Sequence, residues 1–77
     1  MLFRKPLFKL ARGQSGKITR LLGTRELQRR LAELGLTEGA KIRLINTTGK
    51  TFSVKVRDTR LALGFEVAAK ILVESGD

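Results

Sequence analysis

Histidine, cysteine, tryptophan and tyrosine are all absent from this chain, and each absence removes a class of function. Without histidine or cysteine there is no imidazole base, no thiol nucleophile and no donor of the kind transition metals prefer. The missing cysteine also rules out disulfides, which a secreted domain of this size ordinarily needs, so a reducing cytoplasm is the expected location. Long apolar runs are missing too: nothing approaches the roughly 20 residues that cross a bilayer as a helix. The opening MLFRKPLFKL is interrupted by Arg4, Lys5 and Pro6 and has no signal-peptide core. Acids are scarce. The seven (Glu26, Glu33, Glu38, Asp58, Glu66, Glu74 and Asp77) are scattered, with no spacing that would pair two carboxylates at a cleft. Gly13 to Lys17 (GQSGK) has neither the spacing of a phosphate-binding loop nor a helix after it, and reads as a plain turn. No catalytic residue, no cofactor and no metal site are therefore expected; only carboxylates, carbonyls and Met1 remain as donors.

What the chain has in excess is positive charge. Sixteen lysines and arginines against seven acids leave +9 on 77 residues. Such a field favours an anionic partner: nucleic acid, an acidic protein surface, or the anionic leaflet of a membrane. It also serves solubility alone, and composition does not choose between these uses. The apolar share of 42% is that of a folded globular chain. At this length it forms one domain, spanning 1–77, with one small core and no deep cleft.

The clearest local signal is Leu27 to Leu36 (LQRRLAELGL). Leu27, Leu31 and Leu34 share one helical face, with Arg29, Arg30 and Glu33 on the others. Thr24 is placed to cap the helix start, and Gly35 to stop it, with Leu36 folding back on Leu31. Elsewhere short alternating runs predict strands. Leu7, Phe8 and Leu10 read as an opening extended segment, and Lys17 to Leu22 as a strand broken by Gly23. Lys41 to Ile45 and Phe52 to Arg57 form a hairpin around a turn at Asn46 to Lys50. Arg60 to Leu63 and Ile71 to Glu74 are two more strands, separated by a helical turn over Phe65 to Lys70. The expected architecture is mainly β: a small, closed antiparallel barrel with one short α-helix and a further helical turn. The core is expected to comprise Leu10, Ile18, Leu21, Leu27, Leu31, Leu34, Ile42, Leu44, Val54, Val56, Leu61, Leu63, Ala68, Ile71 and Val73.

On the hairpin, alternation turns Lys41, Arg43, Ser53, Lys55 and Arg57 outward with no acid among them. Like charges facing each other across a strand pair repel, so this face is mildly destabilising unless an anion covers it. Barrels that bind nucleic acid generally stack bases on exposed aromatics, and the four phenylalanines fall mostly at core or terminal positions. The face suits phosphate or acidic-protein contact better than base reading.

Several motifs taken in order resemble the FeoA family. They are Leu7-x-x-Leu10, Gly13 and Gly16-x-Ile18, then Leu27-Gln28-Arg29-Arg30-Leu31-Ala32-Glu33-Leu34-Gly35-Leu36-x-x-Gly39-x-x-Ile42. Val54-x-Val56, Thr59-Arg60-Leu61-Ala62-Leu63 and Ala68-Ala69-Lys70-Ile71-Leu72-Val73 follow. The resemblance covers roughly residues 6 to 75. It implies an SH3-like barrel in the cytoplasm, without enzymatic activity, that accompanies FeoB, the ferrous-iron transporter with a cytoplasmic GTP-binding domain. The family is also described as binding transition metals, for which this chain lacks ligands. The same barrel forms the C-terminal domain of DtxR-type metal-dependent repressors, but no DNA-binding helices precede it here. The family's central hairpin often has a longer, proline-containing loop than Asn46 to Lys50. On this reading the partner-binding residues are Arg29, Arg30, Lys41, Arg43, Lys55 and Arg57, facing the transporter and the anionic leaflet beside it. A nucleic-acid-binding barrel is the alternative, and the oligomeric state is left open.

Overall fold

Alternating burial along most of the chain builds one antiparallel sheet, seen in a computed structural model that describes residues 2–76. Met1 and Asp77, the ends of the expected domain, lie outside the described residues. Six strands occur in chain order: β1 (Leu2–Pro6), β2 (Ser15–Leu21), β3 (Lys41–Thr48), β4 (Thr51–Val56), β5 (Thr59–Gly64) and β6 (Ile71–Gly76). They are arranged as β1-β6-β2-β3-β4-β5. Helix α1 (Arg25–Glu33) lies between β2 and β3, and the single turn α2 (Phe65–Ala68) between β5 and β6. The expected closure is not reached by backbone pairing. Among the described residues β1 and β5 each have a ladder partner on one side only. Side chains fill in at the Gly64 end instead: Phe8 meets Phe65 at 4.9 Å and Phe52 at 6.5 Å between ring centroids.

The start of the chain differs from expectation. Residues 7–9 are not extended; they form a 3₁₀ turn, and the opening strand is the preceding Leu2–Pro6. The turn swings Leu7 into the interior, where it is fully buried. Pro6, which lacks an N–H, is tolerated because β1 is an edge strand. Strand β2 begins at Ser15, so Gly16 lies inside it rather than bounding a turn. A side chain at Gly16 would press on Val73 Cβ at 3.2 Å, which is why the position is kept bare.

Helix α1 starts and stops as its residues dictate. Thr24 Oγ1 accepts the Leu27 N–H at 3.1 Å, satisfying one of the open donors of the first turn. At the other end Gly35 takes φ +93, the Leu36 N–H donates to the Leu31 carbonyl at 2.8 Å, and the Gly35 N–H to Ala32 at 2.9 Å. These paired bonds constitute a Schellman stop. They also correct the expected core. Leu34 stands at the C-cap with ψ near 0, so it leaves the leucine face and is 48% exposed. Leu36, turned back by the stop, is fully buried in its place. Leu31 is buried as expected, while Leu21, Leu27 and Leu61 are only partly so. The remaining expected core residues are buried, joined by Leu7 and Phe52. Gln28, which carried no signal in the sequence, ties α1 to β2 by donating from Nε2 to the Leu21 and Gly23 carbonyls at 3.1 and 3.2 Å.

A candidate docking surface on the β3–β4–β5 face

The central hairpin is longer and tighter than expected. Strand β3 continues to Thr48, and the turn is only Gly49–Lys50, with Gly49 at φ +60 where a type II′ hairpin places glycine. A bulge between Leu44 and Asn46 inserts Ile45 and keeps the inward alternation of Ile42 and Leu44 against Val56 and Val54. With the inner face thus fixed, the outer face is fixed as well.

On that outer face Arg43 opposes Lys55, and Lys55 opposes Arg60, so three cations stand in one row across β3, β4 and β5. All three are exposed. Lys41, Arg43, Lys55 and Arg57 converge, with Ser15 and Ala40, around an open groove of about 300 Å³. Arg43 and Lys55 also line the adjoining depression that contains Ile45 and Arg60. The result is a continuous basic strip with two apolar side chains, Ala40 and Ile45, in it. Arg60 was not singled out from the sequence. Its signal was there, since it alternates with Leu61 and Leu63, but only the register shows that it faces Lys55.

The strip is held in place. Arg43 Nε donates to the Gly13 carbonyl at 3.1 Å. Gly13 is itself fixed on β3, because its N–H reaches the Leu44 carbonyl at 2.6 Å and the Leu44 N–H reaches Gln14 at 3.0 Å. Arg57 sits in the two-residue turn between β4 and β5 at φ +58, a left-handed conformation that opposes a side chain by about 1–2 kcal/mol. Charge compensation is uneven across the sheet. Glu74 on β6 is the register partner of both Arg4 on β1 and Lys17 on β2, whereas the row Arg43–Lys55–Arg60 has no acidic partner across it.

Arg29 and Arg30 are exposed on α1, and neither lines the hairpin groove. Arg29 instead flanks a separate depression with Arg25 and Gln28. The six sequence-derived residues therefore divide into four that converge and two that stand apart. Imidazole and thiolate, the donors that transition metals prefer, are absent from the sequence, and among the described residues no three acids gather into a group. No helix among the described residues is long and apolar enough to cross a membrane.

Residues 5–75 match the FeoA domain family. Among solved structures the fold is shared with an iron uptake regulatory protein, FeoA, at 28% identity and TM-score 0.84, covering 92% of this chain and 95% of that one. It is shared also with the FeoA of Stenotrophomonas maltophilia, solved with zinc and put forward as a prokaryotic SH3 domain protein that activates ferrous iron transport. That pair is 29% identical with TM-score 0.76, covering 87% of this chain and 86% of that one. A manganese-dependent transcriptional repressor shares the fold alone, at 20% identity and TM-score 0.87, with 97% of this chain spanning 43% of the repressor. Among curated proteins no sequence relative matches. The expected SH3-like architecture is thus the one observed, and with the family match running over nearly its whole length this chain belongs to the FeoA family, which is linked to ferrous iron transport.

Proposed function

We propose that this chain is a non-enzymatic, cytoplasmic accessory of ferrous iron uptake that docks on an acidic region of the cytoplasmic GTP-binding part of a FeoB-type transporter. The observation that carries this reading is the uncompensated row Arg43–Lys55–Arg60, continued by Lys41 and Arg57 along the groove. Each like pair works against the isolated sheet, and an acidic partner turns that repulsion into attraction. Family membership points to the transport system as the source of the partner. The composition supplies no imidazole or thiol, and its acids are scattered along the sequence, which favours contact over chemistry. An anionic leaflet next to the transporter adds to the attraction. Nucleic acid is less well served: the exposed phenylalanines, Phe3 and Phe65, are not among the residues lining the groove, so it offers no aromatic ring for base stacking.

The test is calorimetric titration of the transporter's soluble GTP-binding domain with the wild-type chain, with Arg43→Glu/Lys55→Glu, and with Arg29→Glu/Arg30→Glu. Binding that weakens with salt and is lost only in the first variant supports the docking. Loss in the second variant alone moves the contact to α1. If neither wild type nor variant binds, while wild type shifts RNA with a steep salt dependence, the nucleic-acid reading replaces it.

A further inference from the structure

We infer that the free edge of β5 receives an extended acidic segment of the partner as an added strand, its carboxylates aligned with Arg60 and Lys55. This names the chemistry of the partner at the docking surface proposed above and rests on that reading. The edge is open in the sense that matters. Strand β5 pairs with β4 alone, and among the described residues no turn, loop or side-chain hydrogen bond reaches its Thr59–Gly64 backbone. Every second residue of an edge strand directs its N–H and C=O outward, which makes the edge a template for another strand. At its Gly64 end the edge runs into α2 and the Phe65 ring, so the accessible part is Thr59 to Ala62.

The other edge, β1, is open as well, and charge separates the two. Arg4 on β1 already has Glu74 beside it, whereas Arg60 is the last member of a row, Ser15–Arg43–Lys55–Arg60, that contains no acid. A strand added to β5 extends that row by one position. An acid there faces Arg60 directly and Lys55 at the next strand's distance, within reach of long side chains. The two flanking positions turn to the other face, one beside half-buried Leu61, where an apolar residue fits, and one beside exposed Thr59. The segment recognised is therefore one that alternates acidic and apolar side chains. A second copy of this chain is a poor occupant, because pairing β5 with β5 brings two basic rows together on molecules that each carry +9.

The experiment uses the whole chain and a short labelled peptide of alternating glutamate and valine. Comparison peptides carry lysine for glutamate, or N-methyl groups on alternate amides, which remove edge pairing and keep the charge. Anisotropy measures affinity, and amide hydrogen exchange reports on Thr59 to Ala62. The expected result is binding of the acidic peptide, slowed exchange along β5, and weakening by about tenfold or more on N-methylation or in Arg60→Glu, the loss of two edge hydrogen bonds and a charge contact. Circular dichroism of Arg60→Glu shows that the variant is folded, and Lys55→Glu provides an independent second weakening. Equal binding of the N-methylated and unmodified peptides overturns the inference, since charge alone then suffices. A doubled mass with β5 exchange already slow in the free protein overturns it in favour of self-pairing. If the transporter domain binds but the acidic peptide does not, this inference fails and the docking reading stands. If the peptide binds along β5 and the domain does not bind, the docking reading fails and this inference stands.

Discussion

Replacing Lys55 by threonine should make the isolated protein more stable and its docking weaker. Lys55 occupies the middle of the basic row, with Arg43 on one side and Arg60 on the other. Directly opposed side chains have Cβ atoms about 5 Å apart, and long cationic side chains splay their tips to about 7 Å. At that distance two unit charges in water repel by roughly 0.6 kcal/mol. Two such neighbours give about 1 kcal/mol at low salt, where the Debye length is about 30 Å. At physiological ionic strength, with a length of about 8 Å, roughly half of that survives. Threonine also suits an exposed strand position at least as well as lysine does. For a domain of this size the gain should appear as a rise in melting temperature of about 4–8 °C in dilute buffer. It should shrink steadily with added salt. The assay is thermal unfolding followed by circular dichroism across a salt series, paired with the docking titration. A variant that is less stable than wild type in dilute buffer, or whose gain is indifferent to salt, would refute the idea that the row is held under repulsion.

The leucines of α1 supply a second contrast. Leu31→Ala should destabilise by about 2–5 kcal/mol, whereas Leu34→Ala should stay within about 0.5 kcal/mol. Equal losses in urea unfolding would contradict the turn-back geometry at Gly35. Arg57→Gly should relieve the left-handed strain at φ +58 and raise stability by up to about 1 kcal/mol in urea unfolding. By removing one cation from the groove, it should also make docking less sensitive to salt. A drop in stability would show that the Arg57 side chain makes a stabilising contact.

The elements that could be read from residues alone are those whose signals are local. Thr24, Gly35 and Leu36 define the two ends of α1 through caps that involve only near neighbours, and all three behave as their chemistry requires. The inward set Ile42, Leu44, Val54 and Val56 follows from simple alternation. Strand β1 was hidden because Arg4, Lys5 and Pro6 break any apolar pattern, and it exists through long-range pairing with β6, where Lys5 lies beside Val73. Leu34 misled because helical periodicity continues in the sequence for one residue beyond the point where the backbone stops being helical. The surface was legible to the same depth. Alternation turns Lys41, Arg43, Lys55 and Arg57 outward, and they do converge. Which further strand completes the row depends on register, so Arg60 was out of reach. Arg29 and Arg30 are exposed as the helical pattern requires, but periodicity does not say which side of the sheet a helix overlooks.

Nuclear magnetic resonance mapping is the most direct check. Isotope-labelled chain would be titrated with the soluble GTP-binding domain of a FeoB-type transporter at low and high salt. Shifts concentrated on Arg43, Lys55 and Arg60 and their strand neighbours, fading as salt rises, are what the account predicts. Shifts centred on α1 or around Phe65, or a footprint on the basic row that salt leaves unchanged, would contradict it.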